Sequence, residues 1–393
     1  MAKDGLRREF FPCLLMVLWA LILPLSTSGI TIVSVLSVIF VCWVFSSHSI
    51  RTAALQPVIA LCIGFYLFQL LAALYSTAPW QDILWALKRS IKLLFLPFLF
   101  VCFVSPRTRK AAMIAYLVGM MAVLVAGVLK HHFHFSWGRS AYSSAAVFKD
   151  HIQNSALMAF GAFLAACMAP HFPKVKSLFY FIAICMGCFV LFLGNGRSGY
   201  VLLTVLALFW GFRTAGLKGA VLTLCALTVL FGVAYLGGSG FQKRVHEVGT
   251  DVAQYQQGDA YTSSGQRIGF NLNSLKLIQS HPIFGSGTGS FAAEYRQRYG
   301  SQGALATNNP HNQYTLYAVQ YGVIGVLWFV LILVAGFLSS FKLPTLEAGI
   351  LQGIMLMMAV GSLFNSWLSD TTEATMFVFF TAMALASRKG SRA

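Results

Sequence analysis

Negative charge is what this chain has least of. Eleven Asp and Glu stand against 28 Lys and Arg in 393 residues, and charged residues make up only 10% of the total, where a soluble domain carries about 25%. No Walker motif, Asp-x-Asp pair, Ser-His-Asp pattern or pair of carboxylates within an apolar run occurs. The residues therefore call for no nucleotide, no metal and no other cofactor. Cysteine is present but never in loops: Cys13, Cys42, Cys62, Cys102, Cys167, Cys185, Cys188 and Cys225 all lie within or at the edge of apolar runs. Such placement implies small buried hydrophobes rather than a disulfide framework. Cys185-Met186-Gly187-Cys188 has no histidine beside it, which argues against a metal site.

What fills the space is apolar. The 58% hydrophobic content falls into about twelve runs, near 10–25, 29–47, 53–75, 83–104, 111–129, 153–170, 177–194, 199–212, 217–237, 313–338, 346–366 and 374–387. Crossing a hydrocarbon core needs roughly 17 to 25 such residues, so the chain reads as an all-α polytopic membrane protein of about 12 transmembrane helices. The small residues at Leu25-Ser26-Thr27-Ser28 resemble a signal-peptidase site, but the many later runs favour a retained first helix.

The net charge of +17 does not form one basic face, which excludes nucleic acid as its reason. Lys and Arg instead track the ends of the runs. Arg7, Arg8, Arg51, Arg107, Arg109, Lys110, Lys174, Lys176, Arg213, Lys218 and Lys342 fall on one side when loops alternate. The positive-inside rule makes that side, and both termini, cytoplasmic. The organisation expected is residues 1–238 as nine spans, 239–310 as one large outward loop and 311–393 as three more spans.

Within the large loop, Val245, Val248, Val252 and Tyr255 recur at helical spacing, as do Ile268, Leu272, Leu275 and Ile278. Each set predicts a short amphipathic helix with its stripe on the membrane surface or on the bundle. His281-Pro-Ile-Phe-Gly-Ser-Gly-Thr-Gly289 superficially offers a phosphate cradle, but no strand precedes it. It reads as a turn before a short helix at 291–299.

The chemistry-bearing residues are one histidine and several cations. Asn309 and Pro310 read as N-cap and first helical residue, placing His311 and Asn312 in the first turn of the tenth span. The positive end of that helix disfavours imidazolium, and a neutral imidazole can act as a general base. Lys88, Arg89 and Lys92 share one arc of a continuous fourth span with no acid deep in any span to neutralise them, which fits a lipid-linked diphosphate. Arg197 is the one charge in a tight glycine-flanked turn, Arg267 opens the second loop helix, and either guanidinium could grip phosphate oxygens. In the 130–152 loop Arg139, Lys149 and His151 are further candidates, while His131, His132 and His134 read as solvated interfacial histidines.

Arg267-Ile-Gly-Phe270, Ile278 to Phe291, Pro310-His-Asn-Gln-Tyr314 and Gly322-Val-Ile-Gly325, with Gly196-Arg-Ser-Gly-Tyr200 upstream, resemble the motifs of the O-antigen ligase and polymerase superfamily. The resemblance implies a GT-C-like glycosyltransferase of the Gram-negative inner membrane. It would move a glycan from undecaprenyl diphosphate to a hydroxyl on the periplasmic side without a metal, with His311 as base and Arg197 and Arg267 on the diphosphate. The acceptor it implies is lipid A–core (a ligase), another repeat unit (a polymerase) or a protein hydroxyl (an O-oligosaccharyltransferase). One large loop and no added C-terminal region favour the ligase. A lipid or anion transporter is the competing class, for which deep carboxylates and an inverted repeat would be needed.

Overall fold

The computed structural model describes residues 2–135, 145–237, 240–257, 262–300 and 307–388, and those residues contain helices and no strand. The helices are α1 (Ala2–Ile22), α2 (Thr27–Val44), α3 (Ser47–Ala54), α4 (Pro57–Ala73), α5 (Trp80–Ser90), α6 (Leu96–Cys102), α7 (Pro106–Phe133) and α8 (His151–Met168). They continue as α9 (Lys176–Cys188), α10 (Arg197–Leu236), α11 (Gly240–Gln256), α12 (Ser263–Ser280), α13 (Phe291–Tyr299), α14 (Gln313–Ser340), α15 (Thr345–Gly361) and α16 (Thr371–Leu385). Six of them, α9 counted together with the π-helical turn after it, are long and apolar enough to cross a membrane, and the bent pair α3–α4 would make a seventh. Large apolar side chains such as Ile32, Ile39 and Trp43 on α2, or Leu222 and Val229 on α10, stay exposed, as a lipid-facing surface requires. The chain is a multi-pass membrane protein.

Several expected spans are shorter or broken, for local reasons. Pro57 opens α4 and denies Gln56 a helical conformation, so α3 and α4 meet at 87°. Pro97 lacks the N–H that a continuous fourth span needs, and residues 91–95 tighten into a 3-10 turn between α5 and α6. In α10 the backbone leaves helical geometry at Ala215 and Gly216. A side chain on Gly211 would strike Thr223 and Gly219, although a straight helix would hold residues 211 and 223 about 18 Å apart. The chain therefore doubles back, and α10 is the pair of runs expected at 199–212 and 217–237.

α16 is the hub. Every residue from Thr372 to Leu385 is buried, which explains why this run has no polar face. Trp19 of α1, Phe103 after α6, Tyr116 of α7 and Phe160 of α8 all place rings within 6 Å of Phe379 or Phe380. The residues that lead into α16, Asp370 to Glu373, are thereby carried to the centre of one end of the bundle.

The glycine-rich segment 281–289 is a keystone rather than a simple turn. α14 breaks at Gly322, where φ is +62°, and the freed backbone groups bond to this segment. Val323 N–H donates to Pro282 O at 2.8 Å, while Ser286 and Gly287 N–H donate to Val319 O and Gln320 O at 2.9 and 2.8 Å. On its other side Thr288 Oγ1 donates to Gln69 O at 2.6 Å and Ser76 Oγ to Thr288 O at 2.7 Å. A side chain at Gly285 or Gly287 would collide with α14 or with Ala72 and Ser76, and both glycines have positive φ. The loop is thus pinned between α4 and α14 by backbone that only glycine permits.

Candidate functional site

His311 lies just before α14, not in its first turn. Its φ is +55°, incompatible with a helix, and its N–H donates to Asn309 Oδ1 at 2.9 Å. The N-cap is Asn312, whose Oδ1 accepts from the N–H of Tyr314 and Thr315 at 2.9 and 3.1 Å. Asn309 is not the cap because its carboxamide oxygen is committed to His311 N–H and to Ser366 Oγ. Asn312, expected among the substrate ligands, is a capping residue with its side-chain oxygen occupied.

The imidazole is fixed by a three-membered chain. Asp370 Oδ2 accepts from Asn365 Nδ2 at 2.8 Å, which turns Asn365 Oδ1 toward His311 Nδ1 at 3.1 Å. Facing an amide oxygen, Nδ1 carries the proton and Nε2 keeps its lone pair. Nε2 has no hydrogen-bond partner among the described residues. The ring stacks with Phe270 of α12 at 6.4 Å between centroids. Burial pushes the His311 pKa below its ordinary value, the hydrogen bond that Nδ1 donates to Asn365 opposes that, and the Arg267 charge adds to it. The neutral form expected from the helix dipole is thus favoured chiefly by desolvation.

Asn365 and Asp370 were not singled out in the sequence. The available signal was the scarcity of acids: Asp370 and Glu373 sit at the same end of their span as His311. Burial raises the Asp370 carboxyl above the usual range, while Arg89 and Lys92 favour its charged form.

The loop helix α11 turns its acidic residues inward. On α11, Val245, Val248 and Val252 are exposed, while Glu247 and Asp251 meet Arg197 at 3.3 and 3.1 Å. Arg244 also holds Glu247, at 2.6 Å. Arg197 is therefore no lone cation: two carboxylates and Ser264 Oγ occupy its guanidinium. Its flanking glycines serve packing, since a side chain at Gly196 or Gly199 would strike His151 O or Ser155 of α8. Asp251 is held below the ordinary carboxylate range by Ser264 and Arg197 despite its burial.

On α12, Leu272 and Leu275 are exposed while Phe270, Ser274 and Leu277 are buried. Arg267 has no carboxylate partner among the described residues; its Nη1 donates only to Phe364 O at 3.4 Å. Burial and the neighbouring Arg197 charge both lower its pKa, which is the signature of a guanidinium short of negative charge. Arg197, Arg244, Arg267, His151 and Ser264 line a cavity of about 80 Å³.

The fourth-run cations meet different partners. Lys88 is exposed, Arg89 lies over the Trp85 ring at 5.0 Å, and Lys92 Nζ donates to Asp370 O at 3.3 Å. The 3-10 turn over 91–95 interrupts the helix between Arg89 and Lys92, and both cations favour the charged form of Asp370. Lys149 is buried and donates to Thr372 Oγ1 at 3.2 Å. Arg139 lies outside the described residues.

His311 thus has Arg267 on one side and, through Asn365 and Asp370, Arg89 and Lys92 on the other. A base without a hydrogen-bond partner on Nε2 can take a proton, and cations near it can stabilise a departing anion. A search of curated proteins finds no match to the chain. Residues 181–330, which hold Arg197, Arg267 and His311 but not α5, Asn365 or Asp370, match the family model described as O-antigen ligase.

Proposed function

We propose that the protein is an O-antigen ligase, transferring O-antigen polysaccharide from undecaprenyl diphosphate to a hydroxyl of the lipid A–core oligosaccharide. The reaction takes place on the periplasmic face of the inner membrane, and both termini are cytoplasmic. The observation that carries the reading is the Asp370–Asn365–His311 chain, which leaves Nε2 as acceptor beside the carboxylate-free Arg267.

In this mechanism His311 Nε2 takes the proton of the acceptor hydroxyl as its oxygen attacks the anomeric carbon of the lipid-linked sugar. The bond from that carbon to the diphosphate oxygen breaks, and its electron pair leaves with undecaprenyl diphosphate. Arg267 stabilises the growing negative charge. Arg197 joins it only when the diphosphate displaces Glu247 or Asp251. Arg89 and Lys92 hold Asp370 charged, so that Asn365 keeps the imidazole in the productive tautomer. Asn365 and Asp370 are positioning residues, since neither touches substrate in this scheme.

The test is lipopolysaccharide banding from a ligase-deficient host carrying wild-type or His311→Ala protein at matched membrane levels. Restoration of the O-antigen ladder by wild type alone, with lipid-linked O-antigen accumulating in the variant, supports the reading. A change in polymer length, or glycan on a protein instead of on core, replaces it with the polymerase or the protein-glycosylating reaction.

A further inference from the structure

A second cavity, of about 230 Å³, lies between α5, the glycine-rich segment, the start of α13 and the approach to His311. Asp82, Trp85, Ala86 and Arg89 form one wall, and Gly289, Phe291, Asn308 and Gln320 face them. Its position is set by the keystone. Gly289, at φ +79°, packs its backbone on Asp82 O at a distance no side chain would allow, and Gly287 N–H bonds to Gln320 O. The cavity's neighbours are site residues: Asn308 is three residues before His311, and Arg89 acts on Asp370.

The lining is chemically mixed. Asp82 offers only acceptors and Arg89 only donors, while the carboxamides of Asn308 and Gln320 offer both. The side chains of Asp82, Asn308 and Gln320 have no hydrogen-bond partner among the described residues, although Gln320 is only 7% exposed. The Gln320 carboxamide is not cut off: its N and O open onto the cavity, where a ligand's donors and acceptors can meet them. Arg89 covers part of the Trp85 ring, yet Trp85 keeps 60% of its surface exposed. An aromatic ring with a negative face attracts the polarised C–H groups on one side of a sugar ring, as it attracts cations.

An inorganic anion would meet the Asp82 carboxylate, so this is not a second phosphate site. A purely apolar ligand would strand the two amides. A polyhydroxyl ring, with donors and acceptors at its rim and C–H groups on its faces, satisfies both constraints. We propose that this cavity is a saccharide subsite that holds one sugar ring beside His311. Asp82, Asn308 and Gln320 take the hydroxyls and Trp85 takes the ring face. The assignment builds on the glycosyltransferase reading. The ring belongs either to the acceptor core or to the donor glycan, which share this chemistry.

The experiment measures binding without turnover. The delipidated core oligosaccharide and the delipidated O-antigen repeat unit are each titrated, by saturation-transfer NMR, onto the purified full chain in nanodiscs. Wild type, Trp85→Ala, Trp85→Phe, Gln320→Leu and His311→Ala are compared, with folding checked by thermal unfolding. One of the two glycans is expected to bind wild type and His311→Ala alike. Trp85→Ala and Gln320→Leu should each weaken that binding by about tenfold, the size of one stacking contact or one stranded amide, and Trp85→Phe should retain most of it. Core as the bound glycan makes this the acceptor subsite; the repeat unit makes it the donor subsite. Folded variants that bind as wild type does overturn the proposal, as does wild type that binds neither glycan, or displacement of the glycan by inorganic pyrophosphate. Glycan binding by a wild type that fails to restore the ladder keeps the subsite and removes the ligase reading. A restored ladder with unaltered variant binding removes the subsite alone.

Discussion

The two ends of the bundle treat arginine in opposite ways. At the end where α15 begins, Arg109 is buried against Glu347 at 3.3 Å and donates to Phe103 O and Val104 O at 2.9 Å. Arg213 likewise bonds to Gln352 and to Thr345 O. These guanidiniums close the ends of helices and have nothing left to offer. At the other end Arg267 has one long bond to a carbonyl, and Arg89 lies over the face of Trp85 with no hydrogen-bond partner among the described residues. Arg197 stands between the two cases, fully paired, but with carboxylates on the loop helix α11 rather than on the packed bundle. A saturated arginine holds a fold together; an unsaturated one in a concave site is available to an anion.

Substitutions can separate these two uses. The largest effect on transfer is expected for His311→Ala, a loss of about 10²- to 10⁴-fold in kcat with the unfolding temperature unchanged, the range for removing a general base. In vitro transfer and thermal unfolding measured on one preparation check both halves. Arg109→Met should do the reverse. It leaves Glu347 buried without a partner and costs about 3–5 kcal/mol of stability, read as a lower unfolding temperature, while the properly folded fraction transfers glycan normally. An unfolding temperature like that of wild type would remove the distinction between the two ends.

Arg267→Ala should weaken transfer by about ten- to a hundredfold, the size of a charge-assisted hydrogen bond to a charged oxygen. It carries a second, sharper readout. Neutral imidazole is the active form, so the rate rises with pH through the His311 pKa, and that limb lies below the ordinary value of 6.5. Removing the Arg267 charge makes imidazolium easier to form, and the limb moves to higher pH. Asn365→Ala removes the bond that favours protonation, so the limb should move to lower pH. Its kcat should fall by about tenfold, the worth of one hydrogen bond to the ring. A lower rate with an unmoved limb would make Asn365 merely structural. The smallest effect is expected for Lys88→Ala: the side chain is exposed and has no partner in the site, so transfer should match wild type in the same assay.

Much of this molecule was legible because some properties are local. Apolar run length foretold most helices, and the spacing of Val245, Val248 and Val252 foretold α11. Pro57 and Pro97 carry breaks that the run-length reading passed over, although the physical signal is in the residue itself. Asn309 and Pro310 signalled a helix start, yet that Asn312 rather than Asn309 caps it depended on Ser366, which takes the oxygen of Asn309 from another segment.

By itself the sequence determined the membrane class, the helices of the long loop, and the inventory of one histidine with several cations, since hydrophobic length and side-chain chemistry are properties of neighbouring residues. Only the tertiary structure decided which charges are neutralised and which way the histidine faces. Arg197 meets Asp251 across 54 residues and His311 meets Asn365 across another 54. Electrostatic energy depends on distance in space, and the hub position of α16, which brings Asp370 to the centre of the site, is a product of packing.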